Sequence, residues 1–207
     1  MGLTTREEES IKEFDQWAHN FEKSIKLPYF NYTYRKVFSL TRDYIKKGSN
    51  ILDIGCGTGK FEHLLAENSP LDKIIGLDIS GEMIKKAKGR PNQKIEFIEG
   101  SIASYELDQT YDLVYSLQAF HHFPDYENTV QIIYQLLNNG GKFIFLDHVN
   151  GMFTRKIACA LLKIIFSEPE VEYYTIKQLI NLFEKTGFKV KSQTSLPLFL
   201  YYMVFEK

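Results

Sequence analysis

The chain has 207 residues, 44% of them hydrophobic and 25% charged, with a formal net charge of -1. That length allows one large domain or two small ones with a substantial core, and the near-neutral balance argues against broad binding to a nucleic-acid phosphate backbone. Cys56 and Cys159 are too few for a disulfide framework or a cysteine-built zinc site, and the apolar run 157–166 is too short, and too interrupted by Lys163, to span a membrane.

Residues 1–49 lie outside any strand pattern and predict two or three helices. The middle of the chain then alternates. Residues 50–54 (NILDI) read as a strand ending at a glycine cluster, and 58–67 as a helix with Phe61, Leu64 and Leu65 on one face. Residues 73–77 (KIIGL) form the next strand, followed by Ser80 as the N-cap of a helix to about Lys88. Strands are expected at 94–98 and 111–116, a helix at 125–137, then a turn at Asn138-Asn139-Gly140 and a strand at 141–146. Thr175 and Gln178 make a capping-box pattern before a helix at 176–185, closed by Gly187. Strand-like stretches at 188–194 and 198–206 end the chain as a hairpin.

This alternation implies an α/β fold: a doubly wound, seven-stranded, mostly parallel sheet with helices on both faces and one antiparallel strand from the C-terminal hairpin. The expected organisation is a single domain over 1–207, with a helical cap (1–49), a core (50–147), an insertion or lid (148–172) and a C-terminal helix and hairpin (173–207). Ligands of such sheets bind outside the carboxyl ends of the strands.

The strongest chemical signal lies there, in Asp53-Ile54-Gly55-Cys56-Gly57-Thr58-Gly59. Three glycines at alternate positions give a sharp bend open to a ligand. A dinucleotide site would need G-x-G-x-x-G, and here Lys60 stands where its third glycine belongs. The strand-end carboxylate of Asp53 would repel a pyrophosphate and suit an ammonium group. Asp78 ends the second strand 25 positions later. It suits a ribose diol, with helix capping as the plainer alternative.

With these residues in view, the stretches ILDIGCGTGKF, GLDISGEMIKKAK, FIEGSIASYEL, YDLVYSLQAFHHFPD and LLNNGGKFIFLD resemble the class I S-adenosylmethionine-dependent methyltransferases. The resemblance covers roughly 12–147 and leans toward the small-molecule branch that includes quinone-biosynthesis enzymes. It implies a Rossmann-like fold and S-adenosyl-L-methionine as cofactor. By position, it implies backbone at Gly55, Cys56 and Gly57 around the methionine part and Asp53 near its amino group. Asp78 falls on both ribose hydroxyls, Ile79 against the adenine, Ser101 and Ile102 at the adenine edge, and Ser116 and Leu117 at the methionine end. Ser101 departs from the pattern, because the family usually has an acidic residue there. The stretch FDQWAHNF resembles the N-terminal helix of the quinone branch, with Phe21 where that branch has a tyrosine.

The acceptor side is less determined. His121 and His122 follow the fourth strand, where a histidine base would act near neutral pH. A structural role for the pair is an open alternative, and His121 is the favoured base if one acts. Trp17, Phe21, Tyr29 and His122 are candidates for the acceptor site, with core packing as the alternative for the aromatics. No metal ligand set is read, and no Asn-Pro-Pro-Tyr-like sequence follows the fourth strand. The expected activity is methyl transfer to a small, apolar or aromatic acceptor by in-line displacement. The alternative is a catalytically silent cofactor-binding regulatory or partner protein. The N-terminal ten residues lack the apolar stretch of a secretory signal. A cytoplasmic monomer or homodimer is therefore expected, without nucleic-acid partners or stable membrane insertion, and with peripheral membrane contact left open.

Overall fold

The computed structural model describes residues 3–19, 27–105, 109–149, 174–197 and 200–207. Two N-terminal helices, α1 (Thr5–Ala18) and α2 (Leu27–Thr41), precede the alternating core. The core runs β1 (Asn50–Ile54), α3 (Lys60–Asn68), β2 (Lys73–Asp78), α4 (Gly81–Lys88), β3 (Ile95–Glu99), β4 (Tyr111–Leu117), α5 (Tyr126–Leu136) and β5 (Leu137–His148). Helix α6 (Ile176–Thr186) and strands β6 (Lys189–Ser195) and β7 (Leu200–Glu206) follow. The expected lid, 148–172, lies outside the described residues apart from His148 and Val149.

Among the described residues the strands form one seven-stranded sheet in the order β3-β2-β1-β4-β5-β7-β6. Neighbours from β3 to β5 are parallel, and β7 runs antiparallel to both β5 and β6. This is the Rossmann-like, doubly wound arrangement the alternation predicts. The order reverses at β1, so the crevice at the carboxyl ends of β1 and β4 is the natural ligand position.

The period-2 geometry of strands divides the core into two layers. Leu52, Ile54, Val114, Phe143, Phe145, Met203 and Phe205 face α5 and α6, meeting Val130, Ile133, Leu179 and Phe183. Ile51, Leu113, Tyr115, Ile144, Leu146, Tyr202 and Val204 face the other way, meeting Val37 of α2 and Phe61 and Leu65 of α3. Phe183 is fully buried; its ring stacks on Phe205 at 4.0 Å and on Phe143 at 5.3 Å between centroids.

Most boundaries fall within a residue or two of expectation, and the starts of two elements differ for a physical reason. Helix α3 begins at Lys60 rather than at residue 58, because its N-cap, Gly59, is left-handed (φ 76°) and the two residues before it still belong to the bend. Strand β5 begins at Leu137, directly after α5, and the Asn138-Asn139-Gly140 stretch is part of it. Leu137 pairs with Tyr111 and Lys142 with Leu113, so the extra residues are absorbed as an irregularity in the ladder rather than as a separating turn. The α6 capping box forms as read, with Thr175 and Gln178 bonding reciprocally.

Candidate active site

The glycine bend turns its donors inward. The N–H groups of Gly55 and Cys56 donate to the Leu77 carbonyl at 2.7 and 3.1 Å, and that of Gly57 to Asp78 Oδ2 at 2.8 Å. Those three donors are committed within the protein, which leaves a diphosphate without them. The glycines differ in purpose. A Cβ on Gly55 would lie 2.3 Å from that of Ala119, so Gly55 lets β1 pack against the loop after β4. A Cβ on Gly57, at φ 56°, would meet no protein atom within 4 Å, so the open space lies there. The Cys56 side chain is buried with Phe97 and Ile84, leaving its backbone at the bend.

Asp53 is buried at the end of β1, and α3 brings a second carboxyl, that of Glu62, into hydrogen-bond reach of it. Neither is accessible to solvent beyond 2%, and among the described residues no N–H or O–H of another residue donates to Glu62 or to Asp53 Oδ1. Two adjacent buried carboxyls cannot both ionise cheaply. Burial pushes Asp53 up to about 6, against a bonding contribution from Glu62 that lowers it, and burial plus the Asp53 charge pushes Glu62 well above the carboxylate range. Around the same strand ends Thr58 Oγ1, Ser116 Oγ and Gln118 Nε2 are also buried without a hydrogen-bond partner among the described residues. Such orphaned atoms are costly in a folded protein, about 1–3 kcal/mol each, and a polar ligand would satisfy them.

Asp78, at the end of β2, accepts from Gly57 N through Oδ2 and from Ser80 N through Oδ1 at 2.9 Å. Each oxygen keeps a lone pair for a further donor. Burial, outweighing these two backbone bonds, raises its pKa to about 6. The capping role falls to Ser80, whose Oγ accepts from Met83 N. Ser80 Oγ also donates to Asp15 Oδ1 of α1 at 2.6 Å. Ile79 is half-buried, Ile102 is buried, and Ser101 Oγ donates to Glu7 Oε1 of α1 in a short hydrogen bond.

At the end of β4 Leu117 is buried, and Gln118 just beyond it takes a positive φ of 58°. Tyr29 Oη donates to Gln118 Oε1 at 2.6 Å. His121 Nδ1 lies 2.6 Å from Asp147 Oδ1, and the His121 backbone N–H donates to Asp147 Oδ2 at 3.1 Å. A carboxylate oxygen accepts, so Nδ1 carries a proton in this contact. His122 packs beside the His121 ring, 4.0 Å between centroids, and against the edge of Phe14. Burial first, then His121 and Arg6, holds the His122 pKa well below the usual histidine value. Trp17, with Phe14 and Phe30, forms an aromatic cluster on the α1 side, joined to Tyr29 through Phe30. Phe21 lies outside the described residues.

A family model described as a methyltransferase domain matches residues 10–193. A methyltransferase of Bacillus cereus is 31% identical over 193 residues, covering 86% of this chain and 88% of the relative. The chain belongs to the methyltransferase-domain family. Among solved structures, a methyltransferase in complex with the Haloferax volcanii Trm112 activator superposes with a TM-score of 0.77 at 18% identity, covering 94% and 97% of the two chains. An S-adenosylmethionine-dependent methyltransferase of Mesorhizobium loti gives 0.68 at 18% identity, covering 82% and 97%. At these identities the structural likeness speaks for the fold.

In this methyltransferase the tertiary structure gathers Asp53, Gly55, Cys56, Gly57, Asp78, Ile79, Ser101, Ile102, Ser116 and Leu117 along the carboxyl ends of β1 to β4. Four polar residues escaped the sequence reading. Glu62 had a signal, a charge embedded in the apolar face of α3, and Asp147 stands at a strand end like Asp53 and Asp78. Glu7 and Asp15 had none that specified their partners, which lie 94 and 65 positions away.

Proposed function

We propose that the protein transfers the methyl group of S-adenosylmethionine to a small, apolar or aromatic acceptor. The observation that carries this reading is the pair of buried strand-end carboxylates, Asp53 and Asp78, flanking a bend whose donors are turned away and whose Gly57 side is open. The orphaned atoms fit an amino-acid end: Asp53 and Glu62 for its ammonium, and Gln118 Nε2, Thr58 Oγ1 and Ser116 Oγ as donors for its carboxylate. The remaining lone pairs of Asp78 suit the ribose diol. Ile79 and Ile102 offer apolar contact to the base, Ser101 sits at its edge, and backbone at Ser116 and Leu117 borders the methionine end.

When bound, the cofactor supplies a methyl already activated by its sulfonium. The protein's task is alignment, for which near-attack geometry is worth up to about 7–11 kcal/mol. Trp17, Tyr29 and His122 border the acceptor side, and His122, neutral and apolar in its setting, adds wall rather than charge. His121 takes the acceptor's proton at Nε2, while Asp147 holds the ring and stabilises the imidazolium. We place the protein in the cytoplasm as a single methyltransferase domain, working as a monomer or homodimer without nucleic acid.

The test is transfer of labelled methyl to a panel of phenols, quinones, amines and carboxylates, beside calorimetry with S-adenosylhomocysteine. Binding with turnover supports the reading. Binding without turnover on any acceptor turns it toward a silent regulatory protein, and no binding ends it. With an acceptor in hand, His121→Ala is expected to spare cofactor affinity and slow transfer about 100-fold or more; an unchanged rate removes the base.

A further inference from the structure

We infer that Glu7, carried on α1, reads the nucleobase: its carboxylate accepts from the exocyclic amino group of adenine at the Ser101 edge. This rests on the cofactor reading above and adds a residue from outside the sheet to it.

Strand β3 is the edge neighbour of β2, with Asp78 opposite Glu99. Ser101 therefore lies just beyond the end of the strand beside Asp78. A ribose held through its diol by Asp78 directs its base over the loops after β2 and β3, toward Ile79, Ser101 and Ile102. Among these, Ser101 has the only side-chain hydroxyl, and its hydrogen is already given to Glu7 Oε1. Its oxygen also accepts from Ala103 N at 3.2 Å.

The group that decides hydrogen-bonding polarity at this edge is thus the Glu7 carboxylate. It is 6% exposed, and its Oε2 takes the Thr4 N–H at 2.8 Å and the Thr4 hydroxyl at 2.9 Å. Those bonds leave Oε1 with one lone pair beyond the Ser101 bond. Burial alone would raise the Glu7 pKa, but the donors from Ser101 and Thr4 outweigh it and hold the group low, as an ionised acceptor. An amino group is welcome beside such an oxygen, and a carbonyl oxygen is repelled.

Glu7 is not in place by chance of a frayed helix end. Helix α1 is tied down along its length: Arg6 donates to the His121 carbonyl at 2.7 Å, and Asp15 accepts from Ser80 Oγ and from Glu82 N at 3.3 Å. The plainer role for Glu7 is the capping box of α1, formed with Thr4. The two roles differ in what they predict for base choice.

The experiment is calorimetry on the full chain with two probes, S-adenosylhomocysteine and S-inosylhomocysteine, which carries a carbonyl oxygen in place of the amino group. The wild type is expected to favour the adenosyl compound at least about tenfold. Glu7→Gln keeps an oxygen for the cap but loses the charge, and should cut that preference about fivefold or more. Glu7→Asp keeps the charge and shortens the reach, and should also cut it, which covers the case in which the first variant fails to fold. An unchanged preference in the folded Glu7 variants overturns the inference while the cofactor reading stands. If the wild type binds neither probe, the cofactor reading falls and the inference with it.

Discussion

The core around Phe183 and the crevice around Asp53 are buried alike and chemically opposite. On the α5 and α6 side of the sheet Phe120, Phe143, Phe183, Phe188 and Phe205 meet ring against ring. Burial there is favourable in itself, because rings leave water and gain close contacts. At the carboxyl ends of β1 and β2 the same degree of burial falls on Asp53, Glu62 and Asp78, which lose hydration and repel one another. The first region holds the fold together. The second is supported by the first and stores a cost that a cationic ligand relieves. The lesson is that burial identifies nothing until the chemistry of what is buried is considered.

The largest expected effect lies in the aromatic region. Phe183→Ala removes a fully buried ring and should cost about 3–5 kcal/mol of unfolding free energy in denaturant titration. The fraction that stays folded should bind cofactor with near-normal affinity. A loss below 1 kcal/mol would mean that the two regions are not divided in this way.

Next in size is Asp78→Ala. It removes both acceptors for the ribose diol and should weaken S-adenosylhomocysteine binding by about 2–3 kcal/mol in calorimetry. Affinity within twofold of wild type would take the ribose away from Asp78.

The smallest effects sharpen the contrast through pH. Asp53 and Asp78 have folded pKa values raised from 3.8 to about 6. The folded state then binds more protons than the unfolded one between those values, so ligand-free stability should fall as pH rises from about 4 to about 6. Cofactor affinity should rise over the same range, as the ammonium displaces a proton. Glu62→Gln removes the titrating partner and leaves an amide that can donate to Asp53. It should flatten the fall in ligand-free stability as pH rises. Melting curves across pH would read this, and a steeper or unmoved profile in the variant would deny the strained pair.

Much of this was legible one residue at a time. The strands at 50–54, 73–78 and 111–117 carry runs of buried apolar residues, and Ser80, Thr175 and Gly187 punctuate helices by local chemistry. The acidic strand ends and the spaced glycines were visible for the same reason, since their neighbours in function are also neighbours in sequence. The start of β5 is hidden in the sequence because Asn-Asn-Gly is ordinary turn chemistry, and only its ladder partner Tyr111 pulls Leu137 into the sheet. Whether Tyr29 belongs to core or site could not be decided from sequence. In the fold it does both, packing against the core and donating to Gln118 beside the crevice.

The alternation of elements, the parallel sheet and the positions of Asp53 and Asp78 can be read from the chain alone, because hydrophobic period and bend chemistry are local properties. That Glu62 shares the setting of Asp53, that Asp147 meets His121, and that Glu7 meets Ser101 emerges only in three dimensions. Those pairings join residues on different elements, and proximity across elements is set by how helices dock on the sheet.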